Sequence, residues 1–198
     1  MSTKLLKNTK FLSEIRKFFG ENERFILDII IFGSSIRGKE EPNDIDLLVV
    51  YKNKKDIDIS YKLKNKLKNV GFIVEIIDKT YSELFQESFK AREAVLSEGF
   101  SIINNGFISE RLGYMKFILF KYELKNFNKS QRMRFYYSLY GRNNIKGILK
   151  ELNAVKFSET IILCPIENSE KMKNYLSLWD IKFIEFPIMI PNRLEHIL

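Results

Sequence analysis

"FGSSIRGKEEPNDIDLLVVY", residues 32–51, carries two signals that belong together. Gly33 and Ser34 close an apolar run, "RFILDIIIF" (24–32), whose β-branched and aromatic residues predict a buried strand. Asp44 and Asp46 open a second run, "DIDLLVVY" (44–51), which predicts the next strand. Period-two alternation puts both carboxylates on one face, with Ile45 on the other. Two acids so close at the mouth of a buried strand repel each other and resist desolvation. One carboxyl should be pushed up unless a cation balances them.

Working outward, Leu12, Ile15, Phe18 and Phe19 predict a helix over 11–19 that Gly20 stops. Downstream, a lysine-rich amphipathic helix is expected over 56–69, with Ile59, Leu63 and Leu67 inward. "FIVEIID" (72–78) reads as a third strand, and Tyr81, Leu84, Phe85 and Phe89 mark another helix. "AVLSEGFSIINNG" (94–106) reads as a helix end, a glycine turn and a short strand. The expected fold is α/β (α+β): a sheet flanked by helices over residues 1–106, with a smaller basic unit over 107–198. In that second unit Ile108, Leu112, Met115, Leu119 and Tyr122 predict a long helix over 108–124. A second helix is expected from Ser130 to near Gly141, and then strand, helix and strand to the end.

The opening stretch has the parts of a phosphate site. Glycine lets backbone approach a ligand, and the free N–H groups of a short helix started by Ser35, Ile36 and Arg37 favour an anion. Ser34 adds a hydroxyl and Arg37 a planar cationic fork. The Asp44–Asp46 pair offers hard oxygen ligands, which suit Mg²⁺ bridging to phosphates. Glu75 interrupts the third strand on the face of Ile73 and Ile77. If that strand neighbours Asp44–Asp46, Glu75 completes a three-acid cluster able to hold two metal ions ~4 Å apart. Otherwise Glu75 is an edge acid facing water, and Asp78 is the other candidate.

Gly33-Ser34, nine residues, then Asp44-Ile45-Asp46 and an acid on a later strand resemble the polymerase-beta-type nucleotidyltransferases, and most closely their minimal domains. "LSEGFSII" (96–103) is similar to the closing strand of those domains, so the resemblance spans roughly 10–105. It implies a nucleotidyltransferase-type mixed sheet bearing Mg²⁺-dependent transfer of a nucleoside monophosphate from a nucleoside triphosphate, ATP favoured, to a hydroxyl acceptor. Gly33 and Ser34, with Ser35 and Arg37 beside them, would hold the triphosphate. Asp44, Asp46 and Glu75 would be catalytic and bind metal. The family more often has aspartate at the third position, and glutamate keeps the charge on a longer arm. The expected acceptor is RNA, a protein side chain or a small hydroxylated molecule; the basic second unit favours RNA, and minimal domains of the family that are antitoxins modifying a partner toxin keep a partner protein open.

The chain supplies its own control. "KKDIDIS" repeats the tripeptide at Asp56 and Asp58, without an upstream Gly-Ser, and is explained by helix capping. Composition narrows the chemistry further. With one histidine (His196) and one cysteine (Cys164) in 198 residues, Cys/His zinc sites, Ser-His triads and internal disulfides have no support. The longest apolar runs fall far short of the ~20 residues of a membrane helix. With no signal-peptide pattern at the start, a cytoplasmic location is expected. The net charge of +8 is concentrated: residues 111–150 hold ten Lys/Arg and one acid, Glu123. Within them "RMRFYYSLYGR" interleaves arginines with aromatics, which suits RNA or protein contact, or simply an amphipathic helix with its aromatics in the core. The rival to an enzyme is an inactive module of the same fold that binds nucleic acid or a partner protein through this basic region.

Overall fold

The computed structural model describes residues 5–37, 44–143 and 145–197. They form two compact units that divide between Gly113 and Tyr114. In the first, Asn8 caps α1 (Thr9–Asn22) by accepting from the Phe11 amide at 3.0 Å. α1 buries Phe11, Leu12, Ile15 and Phe18 at helical spacing, yet it runs through Gly20 instead of stopping there. Glycine inside a helix costs only about 1 kcal/mol relative to alanine, and the buried apolar stripe offsets it.

Then follow β1 (Ile26–Phe32), β2 (Ile45–Tyr51), α2 (Ile57–Asn69), β3 (Val74–Thr80), α3 (Arg92–Glu98), β4 (Phe100–Ser101), β5 (Gly106–Phe107) and α4 (Ile108–Arg111). The strands build a five-stranded sheet in the order β3-β2-β1-β4-β5. β2 and β3 run parallel because α2 carries the chain across, and the other neighbours are antiparallel. This is the mixed sheet flanked by helices that the sequence predicts. The second Asp-Ile-Asp caps α2: the Asp56 carboxylate accepts from the Asp58 and Ile59 amides.

One face of the sheet packs Ile30, Phe32, Leu48 and Val50 against Phe89 and Val95. α2 lies on the opposite face, where the Ser60 hydroxyl donates to the Asp78 carboxylate at 2.9 Å. The helix expected around Tyr81–Phe89 reduces to a 3₁₀ turn, Ser82–Phe85. Glu83 anchors it by accepting from the Thr80 amide at 2.8 Å.

The second unit departs from expectation at its first element. Instead of a long helix over 108–124, the short α4 ends the first unit, and Gly113 turns the chain at φ +81° into β6 (Tyr114–Tyr122). Lys116, Ile118, Phe120 and Tyr122 are buried in alternation, the period of a strand. β6 is held on both sides, by β10 (Ile161–Pro165) and β11 (Phe183–Pro191), in a sheet ordered β11-β6-β10-β9 with β9 at Val155–Ser158. Met115, Phe117 and Leu119 place apolar residues on the other, half-buried face as well, so the sequence also satisfies a helical period.

α5 (Lys129–Tyr140) starts on a capping box between Asn128 and Gln131. A small hairpin follows, β7 (Gly141–Arg142) with β8 (Ile145–Lys146), and then α6 (Ile148–Glu151). α7 (Ser169–Leu178) buries Met172 and Leu176. Phe135 of α5 centres an aromatic cluster with Tyr122, Phe127, Tyr175 and Trp179. Cys164 is a buried core thiol pushed up to about 12 by burial.

Candidate active site

The end of β1 and the start of β2 bring the two opening signals together. Phe32, the last residue of β1, is the antiparallel register partner of Asp46. Gly33 follows at φ +76°, a conformation that suits glycine, and starts the 3₁₀ turn Gly33–Ser35. A Cβ on Gly33 would collide with the Asp46 carboxylate, so only glycine allows turn and acid to approach this closely. Ser34 stays partly exposed, whereas Ser35 is buried and donates to the Phe32 carbonyl at 3.3 Å. Ser34 is therefore open to solvent, and Ser35 holds the turn.

On the other side of Asp46 lies Glu75, its register partner on parallel β3. Paired residues on parallel strands project to the same face, so the sheet sets the two carboxylates side by side. Asp44 sits one residue before β2 and two before Asp46. Burial pushes the Asp46 carboxyl above its ordinary range, and the negative charges of Asp44 and then Glu75 push it further. Arg37 opposes the rise. Glu75 itself is exposed. Asp78, the other acid of β3, turns to the opposite face and bonds Ser60. It is tied to α2 and points away from Asp46.

Among the described residues, no three His, Cys, Asp or Glu side chains converge into a ready-made metal centre. Asp46 instead stands between the other two acids and is raised by both. Their chemistry fits a hard divalent cation: every donor is a carboxylate oxygen, and Asp46 carries the excess of like charge that such an ion relieves.

A residue that the sequence reading passed over completes the surroundings. Glu98, the last residue of α3, is buried at 6% exposure, with its carboxylate 3.4 Å from the Arg37 guanidinium. Burial raises it to about 7 against the pull of Arg37, and Glu93 and Asp46 add to the rise. Its sequence signal is an acid at the end of an apolar helix, "AVLSEGF", which a buried partner alone can accommodate. Arg37, read as a phosphate ligand, is thus aimed by Glu98 from within the domain.

No curated protein matches the chain. A solved structure of a mutant of the toxin–antitoxin MntA–HpeT is similar at 19% identity and a TM-score of 0.37, covering 46% of this chain and 71% of the other. Residues 13–102 match the family model described as polymerase beta, nucleotidyltransferase. That span runs from α1 through β4 and contains Gly33, Ser34, Arg37, Asp44, Asp46, Glu75 and Glu98. The match falls on the strand ends just described, and residues 13–102 of the first unit are similar to the nucleotidyltransferase domains of the polymerase-beta family.

Proposed function

We propose that the domain is an active, Mg²⁺-dependent enzyme that transfers a nucleoside monophosphate from a nucleoside triphosphate, ATP favoured, to a hydroxyl of RNA or of a partner protein. One observation carries this reading: Asp46 is wedged between the Gly33 turn and Glu75, with its carboxyl raised by burial and by two neighbouring acids. A purely structural carboxylate would be matched to a cation or to hydrogen-bond donors. This one has Asp44 and Glu75 beside it, with Arg37 the weakest influence on it, and it opens beside a turn suited to phosphate.

Asp44 and Asp46 would hold a divalent ion with the triphosphate, and Glu75 a second one toward the acceptor. Bound there, such ions neutralise the phosphate oxygens and acidify the attacking hydroxyl. The protein's own part is positioning. The Gly33 turn presents backbone N–H groups and Ser34 a hydroxyl to the phosphates, and Arg37 supplies a fixed positive charge. In the transfer, the acceptor oxygen bonds the α-phosphorus and the bond from that phosphorus to the β-bridging oxygen breaks. Pyrophosphate leaves, and the hydroxyl proton passes to a carboxylate of this group or to water. Holding these groups in line accounts for most of the catalysis in such reactions.

The test is Asp44→Asn with Asp46→Asn. The variant should stay folded and lose both Mg²⁺ binding and transfer. Transfer that persists in this variant would refute the assignment.

A further inference from the structure

We propose that the outer face of α5 is a platform for single-stranded nucleic acid, with bases stacking on Tyr136 and Tyr140 and neighbouring cations holding the phosphates. The link to catalysis, an acceptor strand, rests on the function proposed above; the binding itself does not.

The amphipathic alternative places the aromatics of α5 in the core. Only Phe135, 1% exposed, and Leu139 are buried there. Met133, Tyr136 and Tyr140 are 48%, 49% and 45% exposed, and their spacing sets them along a single stripe of the helix. The rings of Tyr136 and Tyr140 lie 4.6 Å apart and tilted by 39°, forming a short ladder. Cations border it. The Lys156 ammonium sits 5.5 Å from the Tyr140 ring centre, and the Arg142 guanidinium 4.7 Å from that of Tyr137. Lys129, Arg134 and Lys146 are exposed on α5 and the hairpin after it. Arg132 is excluded, because its guanidinium donates to the Leu124 and Phe127 carbonyls and ties the turn before α5.

This surface separates two kinds of partner by chemistry. Lys129, Arg134, Arg142, Lys146 and Lys156, on or beside α5, select a polyanion. Half-exposed tyrosines in series select one that offers flat, unpaired faces. Sugar-phosphate backbone with accessible bases satisfies both, whereas a duplex hides its base faces and an acidic protein has none.

The test measures binding by fluorescence anisotropy, on the full chain, without Mg²⁺ or triphosphate. The probes are a labelled 20-nucleotide single-stranded RNA, the DNA of the same sequence, and the RNA duplex. Single strands should bind in preference to the duplex, and the RNA and DNA arms identify the natural strand. Affinity should fall with added salt, with a log–log slope of about −0.7 per phosphate contacted. Tyr136→Ala with Tyr140→Ala should weaken binding at least about tenfold, while the paired Phe substitutions, which keep the rings, stay close to wild type. Should the alanine pair not fold, Arg134→Glu provides the same reading through charge.

Equal binding by the alanine pair, equal binding of duplex and single strand, or no binding of any strand at low salt would each overturn the proposal. The last result would leave a protein acceptor in its place. Asp46→Asn, run alongside, keeps the two readings apart. Strand binding without transfer activity in the wild type contradicts the enzyme and leaves the platform standing. Transfer without strand binding does the reverse.

Discussion

Asp46 stands beside Glu75 in the parallel register of β2 and β3, and opposite Phe32, the residue before the Gly33 turn. The spacing of charge at the site is therefore a property of the sheet. Moving either acid requires a change of register, which would turn every apolar residue of the strand to the wrong face.

Gly33→Ala should damage fold and function together. Alanine at φ +76° costs about 1–2 kcal/mol, and its Cβ meets the Asp46 carboxylate. Chemical denaturation should show a loss of at least about 1 kcal/mol. Combined with Asp46→Ala, part of that loss should return, because the collision disappears while the backbone strain stays. A double-mutant cycle with no coupling would mean that turn and acid do not touch.

Glu98→Gln should alter how stability depends on pH. The folded carboxyl is raised from its ordinary 4.5 to about 7, so the folded state favours the protonated form. Its contribution is complete below the unfolded value near 4.5 and is lost as pH rises through about 7. Glutamine cannot ionise, so the variant should lose less stability than wild type between pH 5 and pH 8, by up to about 3 kcal/mol. Urea melts of both proteins at the two pH values give this difference of differences. Parallel behaviour of the two proteins would show that Glu98 titrates normally.

Phe135→Ala should unravel the second unit first. Removing a buried phenyl ring costs about 3–5 kcal/mol, and this one touches Tyr122, Phe127, Tyr175 and Trp179. The chain has a single tryptophan, so Trp179 emission reports on that unit alone. Its transition should move to lower denaturant. An unchanged midpoint would remove Phe135 from the core.

What the sequence made legible follows physical lines. The first unit was readable because its strands are separated by strong punctuation, Gly33 and the Asp56 cap, and because β2–α2–β3 has the spacing of a parallel crossover. The candidate acids were readable because charge at a strand mouth demands a partner. Glu98 was not, since its partner Arg37 lies 61 residues away (98 − 37) and only folding brings them to 3.4 Å. β6 was misread because apolar residues stand on both its buried and its half-buried face, and Met115, Leu119 and Tyr122 then satisfy a helical period by accident. The exposure of Tyr136 and Tyr140 was undecided in sequence, where any helix with this many aromatics has several faces that could be buried.

The central claim is that Asp44, Asp46 and Glu75 serve the transfer of a nucleoside monophosphate. The most direct measurement offers the wild-type protein ATP labelled at the α- or the γ-phosphate, with Mg²⁺, total RNA and cell extract. In parallel it offers the other three triphosphates labelled at the α-phosphate. α-Label, and no γ-label, should become covalently attached to an acceptor as pyrophosphate is released. Asp46→Asn should reduce that incorporation by about 1,000-fold, the scale of losing several kcal/mol of charge stabilisation. Attachment of γ-label, no incorporation from any of the four triphosphates, or undiminished incorporation by Asp46→Asn would contradict it.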